Sequence, residues 1–135
     1  IMSSDWSSDV CSSDLLTTLP DSVGACASLR NLSVSHNRIV TLPTTLCALD
    51  ELRELHLHNN LLDSLPGCIG SLAGLVTLEL QSNALTTLPP GMAQLPYVGE
   101  VDVSGNALCT GLDTAVIDWL DMLQPGWDVA QECGL

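Results

Sequence analysis

Residues 29–97 read LRNLSVSHNRIVTLPTTLCALDE, LRELHLHNNLLDSLPGCIGSLAG and LVTLELQSNALTTLPPGMAQLPY, which is one 23-residue unit written three times. Residues 98–120 continue it as VGEVDVSGNALCTGLDTAVIDWL. A shift of 23 residues superimposes the aliphatic strand positions of all four units and one asparagine in each, at Asn37, Asn60, Asn83 and Asn106. Such a repeat predicts a stack of equivalent coils, because one unit alone cannot bury its apolar face.

Each unit begins with the pattern of a short strand. In Leu55-His56-Leu57, apolar and polar residues alternate, as they do in a strand with one buried and one exposed face. The strands of successive units then form a parallel sheet. The asparagine that follows lies where the chain leaves the strand, and its amide is expected to bond backbone groups of its own coil and the next. This predicts a structural asparagine ladder.

A Leu-Pro pair marks the second half of the first three units, at residues 42–43, 65–66 and 88–89. Proline has a fixed φ and no backbone N–H, so it suits an irregular or short helical return segment better than a sheet. The aliphatic residues that follow close the core from this convex side. They are Leu46, Leu49, Ile69, Leu72, Met92 and Leu95.

The pattern LxxLxLxxNxLxxLPxxLxxL resembles that of the leucine-rich-repeat family. The resemblance implies an α/β repeat solenoid, a curved stack with a concave parallel β-sheet and an irregular or short-helical convex side. Residues 29–120 hold the repeats, as units 29–51, 52–74, 75–97 and 98–120.

The last unit has no Leu-Pro pair and merges into a predicted C-terminal helical cap over residues 113–135. Asp113 or Thr114 can cap a helix there. The apolar positions of that helix are Val116, Ile117, Leu120 and Leu123. The segment resembles the terminal cap of bacterial leucine-rich-repeat proteins from envelope or secreted contexts.

Residues 1–15 depart from the pattern. Ser-Ser-Asp occurs three times in them, and residues 5–15, DWSSDVCSSDL, resemble the in-frame translation of a sequencing-library adaptor. We expect a non-native scar that contributes nothing to stability or binding, with a natural Ser/Asp linker as the alternative. Residues 16–28 then form the second half of a truncated repeat, and further coils are expected upstream. Its apolar positions and proline are Leu16, Leu19, Pro20 and Val23.

The chain is strongly acidic. Sixteen Asp and Glu residues face three arginines and no lysine among 135 residues, for a net charge of −13. Such a field repels nucleic acid and anionic membrane surfaces and favours a cationic or neutral partner. The sequence also lacks an apolar run of about 18 residues, so no membrane-inserted segment is predicted.

The polar positions of the strands predict a partner-binding concave face. Glu79, Glu100 and Asp102 cluster near the cap, whereas Arg30 and Arg53 lie at the first two rungs, so a basic patch on the partner would meet the cap end. A merely solvated charged face is the alternative. The predicted face comprises Arg30, Asn31, Ser33, Ser35, Arg53, Glu54, His56, His58, Thr77, Glu79, Gln81, Glu100, Asp102 and Ser104.

The cysteines bear on the compartment. A disulfide between Cys109 and Cys133 would tie the tail to the last coil and suit an oxidising compartment, whereas a packed cap with two thiols would suit the cytoplasm. Cys26, Cys47 and Cys68 lie near the convex leucines and read as small buried residues. Their spacing of 21 residues misses the repeat period by two, so they are not equivalent positions.

The sequence gives little support for a catalytic or metal-binding site. His56 and His58 alternate on one strand beside Glu79, which allows either a bridged divalent ion or exposed residues of a recognition face. The second interpretation is favoured because the pattern offers no second shell for a metal. No triad of the Ser-His-Asp kind and no phosphate-binding glycine loop is evident. We therefore predict no enzyme, no cofactor and no metal.

The predicted function is protein–protein recognition by a monomer, as part of a larger bacterial surface or secreted protein. The predicted location is extracellular or in the cell envelope. Two alternatives remain: a cytoplasmic signalling scaffold, and the recognition arm of an enzyme whose catalytic domain is missing.

Overall fold

The computed structural model describes residues 5–7, 17–19 and 21–133. Its sheet is open and parallel, with five strands in sequence order: β1 (Asp5–Ser7), β2 (Asn31–Ser33), β3 (Glu54–His56), β4 (Thr77–Glu79) and β5 (Glu100–Asp102). From β2 to β5 the register is one repeat throughout, since Leu32 pairs with Leu55, Leu55 with Leu78, and Leu78 with Val101. The predicted repeat solenoid with a parallel sheet is confirmed.

The convex side consists of one 3-10 helix in each coil, at Asp21–Ala25, Thr44–Ala48, Gly67–Ser71 and Pro90–Gln94. The last three begin directly after the proline of the Leu-Pro pair, whose backbone is extended. Hydrogen bonds three residues apart hold each turn, as from Leu46 N to the Pro43 carbonyl at 3.1 Å. Leu46, Ile69 and Met92 point inward and are fully buried.

One continuous aliphatic core fills the space between the sheet and the 3-10 helices. Both leucines of Leu55-His56-Leu57 are fully buried, and so are Leu29 and Leu75 at the strand starts. The core extends from Leu19 to Trp127. Its layers are one coil thick, so each coil depends on its neighbours for burial.

The chain leaves each strand through one left-handed residue, a feature that the sequence analysis did not predict. His36, Asn59, Ser82 and Gly105 have φ values of 60°, 59°, 60° and 69°. Each directly precedes the repeated asparagine. The N–H groups of the first three still bond the next coil, for example from Ser82 to Ser104 O at 2.9 Å. The turn therefore continues the ladder of hydrogen bonds beyond the three-residue strands.

The repeated asparagines bond backbone groups of two coils. Asn83 Nδ2 donates to Leu80 O of its own coil and to Leu57 O of the preceding coil, both at 3.0 Å, and its Oδ1 accepts from Leu62 N at 3.1 Å. Asn60 and Asn106 make the equivalent contacts. These bonds reach the preceding coil and not the following one, because the backbone groups around Leu57 and Leu62 are directed toward the next coil.

The cap reproduces this ladder with a glutamine. Helix α1 (Thr114–Leu123) starts at Asp113, whose carboxylate accepts from Ala115 N at 2.9 Å. Beyond α1 and the 3-10 helix Trp127–Ala130, Gln131 Oε1 accepts from Leu108 N at 3.1 Å and its Nε2 donates to Val103 O at 2.9 Å. These are the two bonds that an asparagine of a following coil would make, so Gln131 ends the ladder.

The N-terminal region lies partly outside the described residues. Most of residues 1–15, including Cys11, together with Leu16 and Pro20, lie outside the described residues, and the origin of the segment stays a prediction. The expectation that it contributes nothing to stability or binding also stays a prediction, although Asp5–Ser7 pairs with β2. An open edge such as that of β2 exposes backbone groups that any extended segment can pair, whatever its sequence. In the truncated unit, Leu19 and Val23 are buried.

The cysteines differ from the prediction in one respect. Cys109 and Cys133 are bonded, with their Cα atoms 5.7 Å apart. Cys47 and Cys68 are also bonded, at 5.9 Å, and Cys68 is exposed, so their interpretation as small buried residues was wrong. The two-residue departure from the period puts them on a diagonal across adjacent 3-10 helices. Cys26 is buried.

We expect Asn83→Ala and Gln131→Ala each to lower the free energy of unfolding by about 1–3 kcal/mol, because both substitutions leave backbone groups of a neighbouring coil without partners. Urea denaturation followed by circular dichroism measures the loss. Gln94→Ala is the matched control, since Gln94 is exposed on the convex side, and it should change stability by less than about 0.5 kcal/mol. A wild-type midpoint for Asn83→Ala would contradict the bridging role.

Candidate functional site

The concave face consists of three rows of side chains, one from each polar strand position. The middle row contains Ser33, His56, Glu79 and Asp102, which are paired in register across β2 to β5. The row on its N-terminal side contains Asn31, Glu54, Thr77 and Glu100. The row on its C-terminal side contains Ser35, His58, Gln81 and Ser104. The repeat therefore brings most of the predicted face together.

Three of the predicted binding residues are not exposed side chains of these rows. Ser35 belongs to the C-terminal row but is only 2% exposed. Arg30 pairs with Glu51 at 3.3 Å, before the start of the strands. Arg53 lines a shallow notch with Gly74, Val76 and the exposed Tyr97. Both arginines directly precede the polar strand positions that point outward, and their part in the binding face stays a prediction.

His56 lies at the centre of a charge network on this face. Its Nδ1 is 2.6 Å from Glu79 Oε1 and its Nε2 is 3.1 Å from Glu54 Oε1. Ionised carboxylates only accept hydrogen bonds, so both ring nitrogens donate only when the imidazole is protonated. Partial burial lowers the pKa of His56, but the hydrogen bonds to Glu79 and Glu54 outweigh it and raise that pKa above its ordinary value of 6.5.

His58 has the opposite shift. Burial lowers the pKa of His58 below 6.5, and the nearby His36 and His56 add to this effect against the opposing charges of Glu79 and Asp102. Its ring meets that of His36 edge to face, with 5.3 Å between centroids. Its Nδ1 lies 3.3 Å from Glu79 Oε1 without hydrogen-bond geometry. The two histidines of β3 and its following turn therefore have pKa values shifted in opposite directions.

The predicted acidic cluster is more fully compensated than the sequence suggested. Asp102 Oδ1 accepts from the Ser104 hydroxyl at 2.5 Å, from Ser104 N at 3.0 Å and from Gln124 Nε2 at 3.2 Å. Glu79 contacts both histidines. Glu54 and Glu100 remain the exposed carboxylates of the face, and the side chain of Glu54 is 48% exposed. Available negative charge thus lies in the N-terminal row.

No group of three or more His, Cys, Asp or Glu side chains among the described residues is arranged to hold a metal ion. Likewise, no helix in the described part of the chain is long and apolar enough to cross a membrane.

Comparison with known proteins identifies the family. The leucine-rich-repeat model matches residues 27–85 and 50–108, which together cover more than half of the chain. The chain belongs to the leucine-rich-repeat family. Leucine-rich-repeat domains generally bind proteins and are typically non-enzymatic.

Among 112 matching solved chains is a leucine-rich-repeat protein of Leptospira interrogans, with 32% sequence identity and a TM-score of 0.72. That match covers 87% of this chain and 27% of the other, so this chain spans about a quarter of the Leptospira protein. A comparison with proteins of curated function finds no match.

The opposite pKa shifts predict distinct titrations. The protonated form of His56 stabilises the fold, so its contribution is present below pH 6.5 and is lost as the pH rises through its higher folded-state pKa. The neutral form of His58 stabilises the fold, so its contribution is present above pH 6.5 and is lost as the pH falls through its lower folded-state pKa. NMR titration of the imidazole resonances should order the pKa values with His56 above His58.

Glu79→Gln should lower the pKa of His56, because it removes the charge of the nearest acceptor. Glu51→Gln is the control, since Glu51 pairs with Arg30, and it should leave both titrations as they are. A higher pKa for His58 than for His56 in the wild-type chain would contradict this account of the network.

Proposed function

We propose that the chain is a protein-recognition module whose concave face binds a cationic surface of a partner protein. The carrying observation is the row of outward carboxylates formed by Glu54 and Glu100, beside the Glu54–His56–Glu79 network. The net charge of −13 attracts a cationic partner over a longer range. A broad polar sheet with shallow depressions favours binding over catalysis.

The same features support the remaining parts of the proposal. The acidic field disfavours nucleic acid and anionic membranes as ligands. Like-charged concave faces would repel each other, which favours a monomer. We assign the chain no catalytic step, no cofactor and no metal. The similarity to the Leptospira protein, of which it spans about a quarter, is consistent with a part of a larger bacterial protein.

An extracellular or cell-envelope location is part of the proposal. It rests on two disulfides that join surface-exposed segments, Cys47 to Cys68 and Cys109 to Cys133. Exposed disulfides persist in oxidising compartments and are uncommon in the cytosol, where thiols stay reduced. They weigh against a cytoplasmic signalling scaffold. A recognition arm of an exported enzyme fits the same observation.

Charge reversal tests the binding face. Glu54→Lys and Glu100→Lys should each slow association with the natural partner by about tenfold and flatten its salt dependence, because they remove electrostatic attraction at exposed sites. Asp102 is avoided, since its carboxylate holds Gln124. Asp50→Lys is the matched control, as Asp50 is exposed in the turn after the 3-10 helix Thr44–Ala48.

Partners are first captured by crosslinking on cells that express the chain, and association rates are then measured at several salt concentrations. The proposal is supported by a partner that binds the wild type and Asp50→Lys but associates more slowly with Glu54→Lys and Glu100→Lys. Equal losses from Asp50→Lys, or none from Glu54→Lys and Glu100→Lys, would place recognition away from this face.

The disulfides have their own test. Chain exported to an oxidising compartment and alkylated before digestion should yield two linked peptide pairs by mass spectrometry. Cys47→Ser should lower the free energy of unfolding of the oxidised chain by about 3 kcal/mol, as expected for a loop of this length, whereas the same substitution in fully reduced chain should cost far less. Four alkylated thiols at these positions after export would overturn the extracellular assignment.

A further inference from the structure

The coils are joined by a directional hydrogen-bond pattern. Strand residues whose side chains point inward send their backbone groups to the following coil: Val34 N bonds His56 O at 3.0 Å, and Leu80 N bonds Asp102 O at 2.8 Å. Likewise, Val76 O accepts from Gly99 N at 2.9 Å. In and beside β5 the equivalent groups are the Gly99 carbonyl and the backbone groups of Val101 and Val103, and these face the outer edge of the sheet.

The cap supplies the hydrogen-bond partners of a following coil only at Val103, the C-terminal end of this edge. Val103 N donates to Gln124 Oε1 at 2.9 Å, and Val103 O accepts from Gln131 Nε2 at 2.9 Å. In contrast, no group in residues 5–7, 17–19 and 21–133 takes the place of a following strand at the Gly99 carbonyl or the Val101 N–H. Two ladder positions therefore stay open beside a cap that closes the third.

A depression of about 340 Å³ lies beside these open groups. Gly99 and Val101 line one side, and Leu123 and Gln124 at the end of α1 line the other. Glu100 and Asp102 also line it and give it negative charge, while Leu123 and Val101 contribute apolar surface. Backbone groups without a partner strand, some apolar surface and acidic walls suit an extended basic segment.

We propose that an extended segment of a partner protein, with lysine or arginine at alternate positions, adds to β5 as a sixth parallel strand. Its N–H groups donate to Gly99 O and its carbonyls accept from Val101 N–H, which continues the ladder of the coils. Its cationic side chains lie beside Glu100 and Asp102, at the spacing of about 5 Å that separates neighbouring strands. This inference rests on the proposed function, because it specifies how the cationic partner is held.

The charge of β5 disfavours a second copy of the chain as the occupant. Pairing between two β5 edges would bring Glu100 and Asp102 of both copies together, and like charges opposite each other destabilise a strand pair. An acidic segment is disfavoured for the same reason.

The probe is the peptide acetyl-Thr-Lys-Val-Lys-Thr-amide, added to the full chain labelled with ¹⁵N. It should perturb the amide resonances of Gly99 and Val101 and slow hydrogen exchange of the Val101 amide at least tenfold, because that N–H gains an acceptor. The acidic analogue, with glutamate at both lysine positions, should not bind.

Backbone methylation separates strand addition from simple charge attraction. In a sixth parallel strand the residues with concave-facing side chains bond β5, so N-methylation of both lysines should weaken binding at least tenfold. N-methylation of the central valine, whose backbone faces solvent, should weaken it by less than about threefold, with the charge unchanged in both peptides.

Equal binding of the parent and lysine-methylated peptides, or no change at Gly99 and Val101 with millimolar peptide, overturns the proposal. If both peptides bind equally and Glu100→Gln weakens that binding, strand addition fails but the concave face still binds cations. If binding at β5 is sensitive to methylation but the natural partner binds Glu54→Lys and Glu100→Lys as tightly as the wild type, the strand site stands and the proposed function fails. Concentration-dependent dimerisation through β5 would identify a second copy as the occupant and also overturn it.

Discussion

The constraint on which the structure depends is that every coil directs backbone hydrogen-bonding groups at the coil that follows. A buried N–H or C=O group without a partner costs about 1–3 kcal/mol. Each coil therefore needs hydrogen-bond partners from the next one. The strands, the left-handed turn and the repeated asparagine all serve this requirement, and the fixed 23-residue register keeps them aligned. At the last coil the requirement has to be met by something other than a repeat.

The cap meets it with side-chain amides. A glutamine carries an acceptor and a donor on one planar group, as an asparagine does, so Gln131 takes over the bonds of a ladder asparagine and Gln124 takes over a strand carbonyl. α1 meanwhile covers the apolar end with Val116, Trp119 and Leu120. Because the cap covers the convex half more completely than the strand edge, the end of the stack is both protected and available for another strand.

The same stacking determines the electrostatics of the concave face. Side chains one repeat apart become neighbours about 5 Å apart, so His56 lies between two carboxylates and Asp102 lies within reach of the cap. Pairing makes the middle row part of a network whose net charge changes with the protonation of His56. Glu54 and Glu100 are the more exposed carboxylates of the face. A partner would therefore encounter a different charge pattern from the one counted along the chain.

The 23-residue repeat determined the stack, its register and the residues of its core, through its Leu-x-Leu, Asn and Leu-Pro positions. The sequence alone predicts these features because burial and strand pairing repeat with it. The sequence also placed Asn31, Glu54, Thr77 and Glu100 on one face, since alternation along a strand fixes the side of each residue.

Only the tertiary structure decided which of these side chains are available. Arg30 and Arg53 lie before the strands, Ser35 is covered, and the Cys47–Cys68 bond crosses two coils on a diagonal that period counting cannot detect. Gln124 and Gln131 stand in for a missing coil from outside the repeat. A repeat pattern specifies equivalent positions, whereas these contacts join positions that are not equivalent, and such contacts depend on distances in space.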